Sequence, residues 1–103
     1  MLVRIVKLTF QEAHLNEFLA HFETVKWQVA QFPGCKGMRL IQDLENPCII
    51  MTYSEWENQE ALENYRQSDL FRSIWPTIKP WFSAKPEAWS LRHYFDGFQG
   101  VNS

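Results

Sequence analysis

Three histidines, three tyrosines and two cysteines are the residues of this chain best suited to move a proton or attack an electrophile. Their spacing excludes several chemistries. His14, His21 and His93 are too scattered for an HxH or HExxH site, and no carboxylate accompanies a close histidine pair, so no metal set is expected. Four glycines, none in GxGxxG spacing, give no phosphate-cradling loop. There is no nucleophile elbow and no Ser/His/Asp set. Hydrolase, NTPase and dinucleotide chemistry are therefore unsupported. What the chain has in excess is aromatic: eight Phe, five Trp and three Tyr, 16% of its residues. Each ring buries a large area, so this load must line a core, a pocket or a partner surface.

Polar tips that share a stretch with those rings are the candidates for chemistry. His21 falls at the border of an apolar helical stripe, where a histidine is commonly just half-buried. Tyr65 lies on the inner face of a second helix; a tyrosine with a pKa of ~10 is a poor base near pH 7 but can donate a hydrogen bond. Tyr53, Phe22, Phe71 and Trp75 are expected beside them, with Phe18 and Trp81 as further walls. Trp56 stands at a strand-to-helix corner and reads either as a packing anchor or as a binding ring. Arg72 could meet an acidic ligand, although an arginine on a helix surface is more often solvated.

The elements that position these residues follow from periodicity. Residues 2–10 read as a strand, with Leu2, Val6, Leu8 and Phe10 on one face and Val3 and Ile5 on the other. Residues 12–32 repeat apolar side chains at spacings of three and four, an amphipathic helix that Pro33-Gly34 ends. Trp27 lies on its opposite face, as a surface ring or a subunit contact. Residues 36–44 and 48–56 form a hairpin around Glu45-Asn46-Pro47. Asn58 caps a second helix, and a short third helix near 69–75 stops at Pro76. Residues 76–86 form a packed aromatic loop, and 87–95 a last strand.

Length and charge bound the rest. A chain of 103 residues holds one core, expected over residues 1–95, followed by a tail at 96–103. A net charge of −2 offers no basic stripe for nucleic acid or an anionic membrane. No apolar run approaches the ~18 residues of a membrane span, and the first residues lack a signal-peptide layout. Cys35 and Cys48, outside any CxxC spacing, suit a reducing cytoplasm as packed thiols rather than a disulfide.

The order β-α-β-β-α-β is the ferredoxin-like arrangement, α+β, with one antiparallel sheet and its helices on one face. In that setting several segments resemble the antibiotic biosynthesis monooxygenase family, small domains that pair face to face as dimeric α+β barrels. They are the opening strand and Phe-rich helix, the turn Phe32-Pro33-Gly34-Cys35, the strand end Tyr53-Ser54-Glu55-Trp56, and Glu60-Ala61-Leu62-Glu63-Asn64-Tyr65-Arg66 followed by Ser68-Asp69-Leu70-Phe71. The resemblance spans about residues 2–95.

For chemistry, the resemblance implies oxidation of a quinol or polyphenol by oxygen without a cofactor. A dry apolar pocket, one base and a few donors suffice for that. His21 and Tyr65 would be catalytic; Tyr53, Trp56, Phe22, Phe71 and Trp75 would hold the small aromatic ligand. The haem-degrading branch of the family has an Asn, a Trp and a haem-ligating His where this chain has Val6, Tyr65 and Trp75, so no haem is expected. The alternative is a non-catalytic ligand-binding or interaction module on the same fold.

The resemblance also implies a homodimer, and the strands supply a reason for one. Val3 and Ile5 oppose Leu2, Val6 and Leu8; Ile49, Met51 and Tyr53 oppose Ile50. Helices cover one sheet face, so a partner is expected on the other. Arg4, Lys7 and Arg39 are expected at the rim of that interface or paired across it, with Phe95 and Phe98 on an arm to the partner.

Overall fold

The computed structural model describes residues 1–98. Strand β1 (Leu2–Thr9) leads through a 3-10 turn (Glu12–His14) into helix α1 (Leu15–Ala30). Strands β2 (Cys35–Gln42) and β3 (Ile49–Trp56) form the hairpin; helices α2 (Gln59–Arg66) and α3 (Asp69–Ile78), a 3-10 turn (Lys79–Trp81) and strand β4 (Glu87–Leu91) complete the domain. The sheet order is β2-β3-β1-β4, with every neighbouring pair antiparallel.

Local chemistry sets the boundaries. The Asn58 side chain accepts the Ala61 amide at 2.9 Å and starts α2; Ser68 Oγ accepts the Phe71 amide at 3.1 Å and starts α3. The β2–β3 turn is held by Asp43 Oδ1, which accepts the Glu45 and Asn46 amides. Both cysteines are free and partly buried.

Several expected boundaries move. The first turn expected of the long helix is 3-10, and α1 proper ends at Ala30. Pro76 does not stop α3, which runs on to Ile78. Proline removes one bond, to the Arg72 carbonyl, and both residues lie on the exposed side of the helix, where water can replace it. Strand β4 ends at Leu91 rather than near residue 95, because its last partner is Val3 and little of β1 remains beyond that pair.

Register decides which side chains face the helices. The row Leu40–Thr52–Val6–Ala88 and the row Met38–Ser54–Arg4–Ser90 lie on the helix-facing side. The row Arg39–Tyr53–Ile5–Trp89 and the pair Val3–Leu91 lie on the other. The core gathers on the helix side around Leu8, Phe10, Phe18, Ile50 and Ile78.

Candidate active site

Helices α1, α2 and α3 do not close fully on the sheet. A cavity of about 380 Å³ lies between them, within the size range of small-molecule sites. Val6, Leu8, Thr52 and Ser54 form its floor; Phe22, Val25 and Val29 come from α1; Tyr65, Phe71, Ile74 and Trp75 come from α2 and α3. Arg66, Glu87 and Ala88 are the exposed residues at its rim. The rings run in contact from one end of this space to the other. Trp56 meets Tyr65 with centroids 5.1 Å apart, Tyr65 meets Phe71 at 5.3 Å, Phe71 stacks on Trp75 at 5.8 Å, and Trp75 meets Phe82 at 5.5 Å. Phe82, Phe10, Phe18 and Phe22 continue the chain. Eight of the sixteen aromatic residues thus form one continuous packed chain of rings.

Of the seven residues expected at the site, His21, Phe22, Trp56, Tyr65, Phe71 and Trp75 line the cavity. Tyr53 does not. It pairs with Ile5, which alternates with the cavity-facing Arg4 and Val6, so it projects from the opposite sheet face. There its hydroxyl donates to Glu55 Oε2 at 3.1 Å, and the Arg39 guanidinium lies 5.6 Å from its ring centroid. Arg4 is displaced in the other direction. It shares the parity of Val6 and Leu8 and lines the cavity, not the rim of a sheet-face interface. Arg72 stays in water beside Asp69, at 3.9 Å.

Trp56 is 1% exposed, and its Nε1 donates to the buried Ser54 hydroxyl at 2.9 Å. This is an anchor that also forms part of the cavity wall. His21 packs edge-on against Trp81, with centroids 6.3 Å apart. Its Nε2 is buried with no hydrogen-bond partner among the described residues. An unmet polar atom of this kind costs about 1–3 kcal/mol unless something supplies the missing partner.

Burial, with the neighbouring Cys35 thiol adding to it, pushes the Tyr65 pKa up to about 12. Tyr65 is therefore a phenol throughout the physiological range: a donor and not a base. The same shift couples to stability. Between pH ~10 and ~12 the unfolded chain has released this proton while the folded chain still holds it, so stability falls as pH rises through that window. In denaturant titrations Tyr65→Phe should flatten this limb by on the order of 2–3 kcal/mol. An unchanged slope would contradict the buried phenol.

The sequence reasoning missed Thr52, Ser54 and Arg66 as lining residues and placed Arg4 elsewhere. Arg4 was traceable, since an arginine in the same alternation as Val6 and Leu8 must face the helices. Arg66 follows Tyr65 directly, and only the rotation of α2 shows that it reaches the rim.

The family model for antibiotic biosynthesis monooxygenase matches residues 1–75. The chain belongs to this family. Among solved structures, an antibiotic biosynthesis monooxygenase superposes with a TM-score of 0.86 at 18% identity, covering 92% of this chain and 100% of that one, a likeness of fold. A conserved protein from Methanosarcina mazei Go1 superposes with a TM-score of 0.82 at 25% identity, covering 89% of this chain and 92% of that one. A Streptomyces coelicolor relative, a 42.8 kDa protein in the whiE locus, is 32% identical over 92 residues, 88% of this chain. The chain spans 22% of that relative's length. No helix among the described residues is long and apolar enough to cross a membrane.

Proposed function

We propose that this chain is a cofactor-independent monooxygenase that oxidises a phenolic or quinol small molecule with oxygen in the aromatic cavity. The observation that carries this reading is a largely apolar cavity with aromatic and aliphatic walls that has His21, whose buried Nε2 lacks a partner among the described residues, in its lining. A phenol seated there would give its hydroxyl proton to the imidazole, the side chain best matched to proton transfer near neutrality. The phenolate delivers electrons to oxygen, a ring carbon–oxygen bond forms, and the peroxide adduct expels water. One phenol and one oxygen molecule thereby give one quinone and one water, with the second hydrogen coming from the ring carbon. The apolar walls keep bulk water from quenching the anion, and Tyr65, a neutral donor, can hydrogen-bond a ligand oxygen at its own end of the cavity.

An oxygen electrode and a panel of quinols test the reading. Uptake should persist in EDTA. Tight binding with no uptake for any member would leave the ligand-binding module in its place.

The proposal includes a homodimer. On the sheet face away from the helices, Ile41, Trp89 and Leu91 are 46%, 41% and 45% exposed, beside Met51 and Tyr53. Tyr94, Phe95 and Phe98 stand almost entirely in solvent. Covering each large side chain is worth ~1.5–3 kcal/mol, and a second copy presents the same patch. The arm expected over 96–103 is described as far as Phe98; residues 99–103 lie outside the described residues. Light scattering at micromolar concentration should give twice the 12.3 kDa chain mass, and a single-chain mass would contradict the dimer. The two free thiols favour a reducing compartment, the cytoplasm, for this reaction.

A further inference from the structure

One end of the cavity carries charge that the oxidation chemistry does not use. Arg4 projects from β1 between Ser54 and Ser90, and its Nη1 donates to Ser90 Oγ at 2.9 Å. Arg66, the last residue of α2, lines the same cavity from the helix side. Two guanidiniums therefore share one end of a chamber whose other walls are mostly apolar.

The charges there do not balance. Glu63 Oε2 lies 3.4 Å from Arg66 Nη1, on the surface of α2. Glu87 also lines the cavity, but its Oε2 lies 3.8 Å from Lys7, which belongs to the other sheet face. Arg4 has only a neutral hydroxyl as its side-chain partner among the described residues. Burial holds its pKa below the usual arginine value, repulsion from Arg66 adds to this, and Glu63 offsets part of it. Two like charges at the end of a largely apolar pocket are stabilised by a ligand that brings a negative one.

The position of this end fixes the shape of the ligand. Tyr65 packs on Trp56, which pairs with Leu2 at the start of β1. His21 packs on Trp81, whose carbonyl accepts the Gln11 amide just beyond the end of β1. Arg4 and Leu8, both on the cavity floor between those ends, are about 13 Å apart along the strand. A ligand that reaches from one end to the other must be elongated.

We propose that the ligand of this cavity is an elongated aromatic carboxylate, its carboxylate held by Arg4 and Arg66 and its phenolic hydroxyl facing His21. The hydroxyl end rests on the oxygenase reading; the carboxylate end does not. Guanidinium forks match a planar carboxylate, and such charge-assisted bonds are the strong ones.

Calorimetry with a hydroxynaphthoic acid, its hydroxyl and carboxylate on opposite rings, tests this against the corresponding neutral amide. The wild-type chain should bind the acid about ten-fold or more tightly than the amide. Arg4→Gln and Arg66→Gln should each remove most of that preference and leave amide affinity in place. Arg72→Gln, outside the cavity, should leave both affinities unchanged. Arg66 is exposed, so its variant keeps the test open if Arg4→Gln fails to fold. Equal affinities for acid and amide in the wild type, or a preference that survives in the Arg66 variant, would overturn the proposal. Acid preference without oxygen uptake from any phenol would support the carboxylate site and remove the oxygenase reading. If neither probe binds, both readings fall.

Discussion

His21→Ala should lower oxygen uptake by about 10²–10⁴-fold, the range expected when a positioned general base is removed. Ligand affinity should change far less, because the aromatic walls hold the ring system and His21 supplies one hydrogen bond among many contacts. The substitution should not destabilise the fold. It removes a buried nitrogen that has no partner among the described residues, and such an atom costs stability in the ligand-free chain. His21→Gln separates the two roles: it keeps a hydrogen-bonding group at the cavity wall but cannot act as a base near neutral pH. Turnover should remain as low as in the alanine variant while binding recovers. Steady-state uptake measured beside calorimetric affinity checks both. Full turnover in either variant would remove His21 from the chemistry.

Gly34→Ala should be among the most damaging single substitutions for stability. Gly34 has φ of +87°, in the left-handed region, and an added Cβ would collide with the Cβ of Ala61 on α2. The turn from α1 into β2 therefore rests directly on the helix that carries Tyr65. The Gly34 carbonyl also accepts the Glu57 amide at 2.9 Å, so the turn cannot move away without losing that bond. The backbone term alone costs roughly 1–2 kcal/mol, and the collision raises the total to about 3 kcal/mol or more. A fall in Tm above about 12 °C follows for a domain of this size. Ala61→Gly in the same chain should recover the collision part and leave the backbone part. Gly37→Ala is the internal comparison. Gly37 also has positive φ, but nothing lies within 4 Å of its added Cβ, so it should show the backbone cost alone. Equal melting temperatures for Gly34→Ala and Gly37→Ala would contradict this account of the turn.

Periodicity made the element order legible because the strands and α1 carry strong, unmixed patterns. Local signals were sufficient where the chain obeys them, as at Asn58, whose side chain caps α2. They misled at Pro76, where one exposed carbonyl absorbs the loss and α3 continues for two residues. The site was legible as an aromatic lining because rings on inward-facing stretches have few places to go. Its polar groups were harder to read. Tyr53 was grouped with the cavity by residue type, yet strand parity sends it to the opposite face. Arg4 was grouped with the surface charges, although its parity with Val6 and Leu8 sends it inward. For Arg4 the alternation with Val6 and Leu8 carried the answer; for Tyr53, on a strand apolar on both faces, the side turned to the helices depends on register, a long-range property. Tyr65 was readable as a donor rather than a base, and its burial strengthens that reading by pushing its pKa up to about 12.

The central claim is that this chain, with no metal or cofactor, uses its cavity to pass electrons from a phenolic substrate to oxygen. Isotopically labelled oxygen supplied to EDTA-treated protein tests it directly, with the product analysed by mass spectrometry. The account predicts one labelled atom in the quinone and the other in water, with incorporation depending on His21. Product that forms only after metal or flavin is added, or that carries no label, would contradict it.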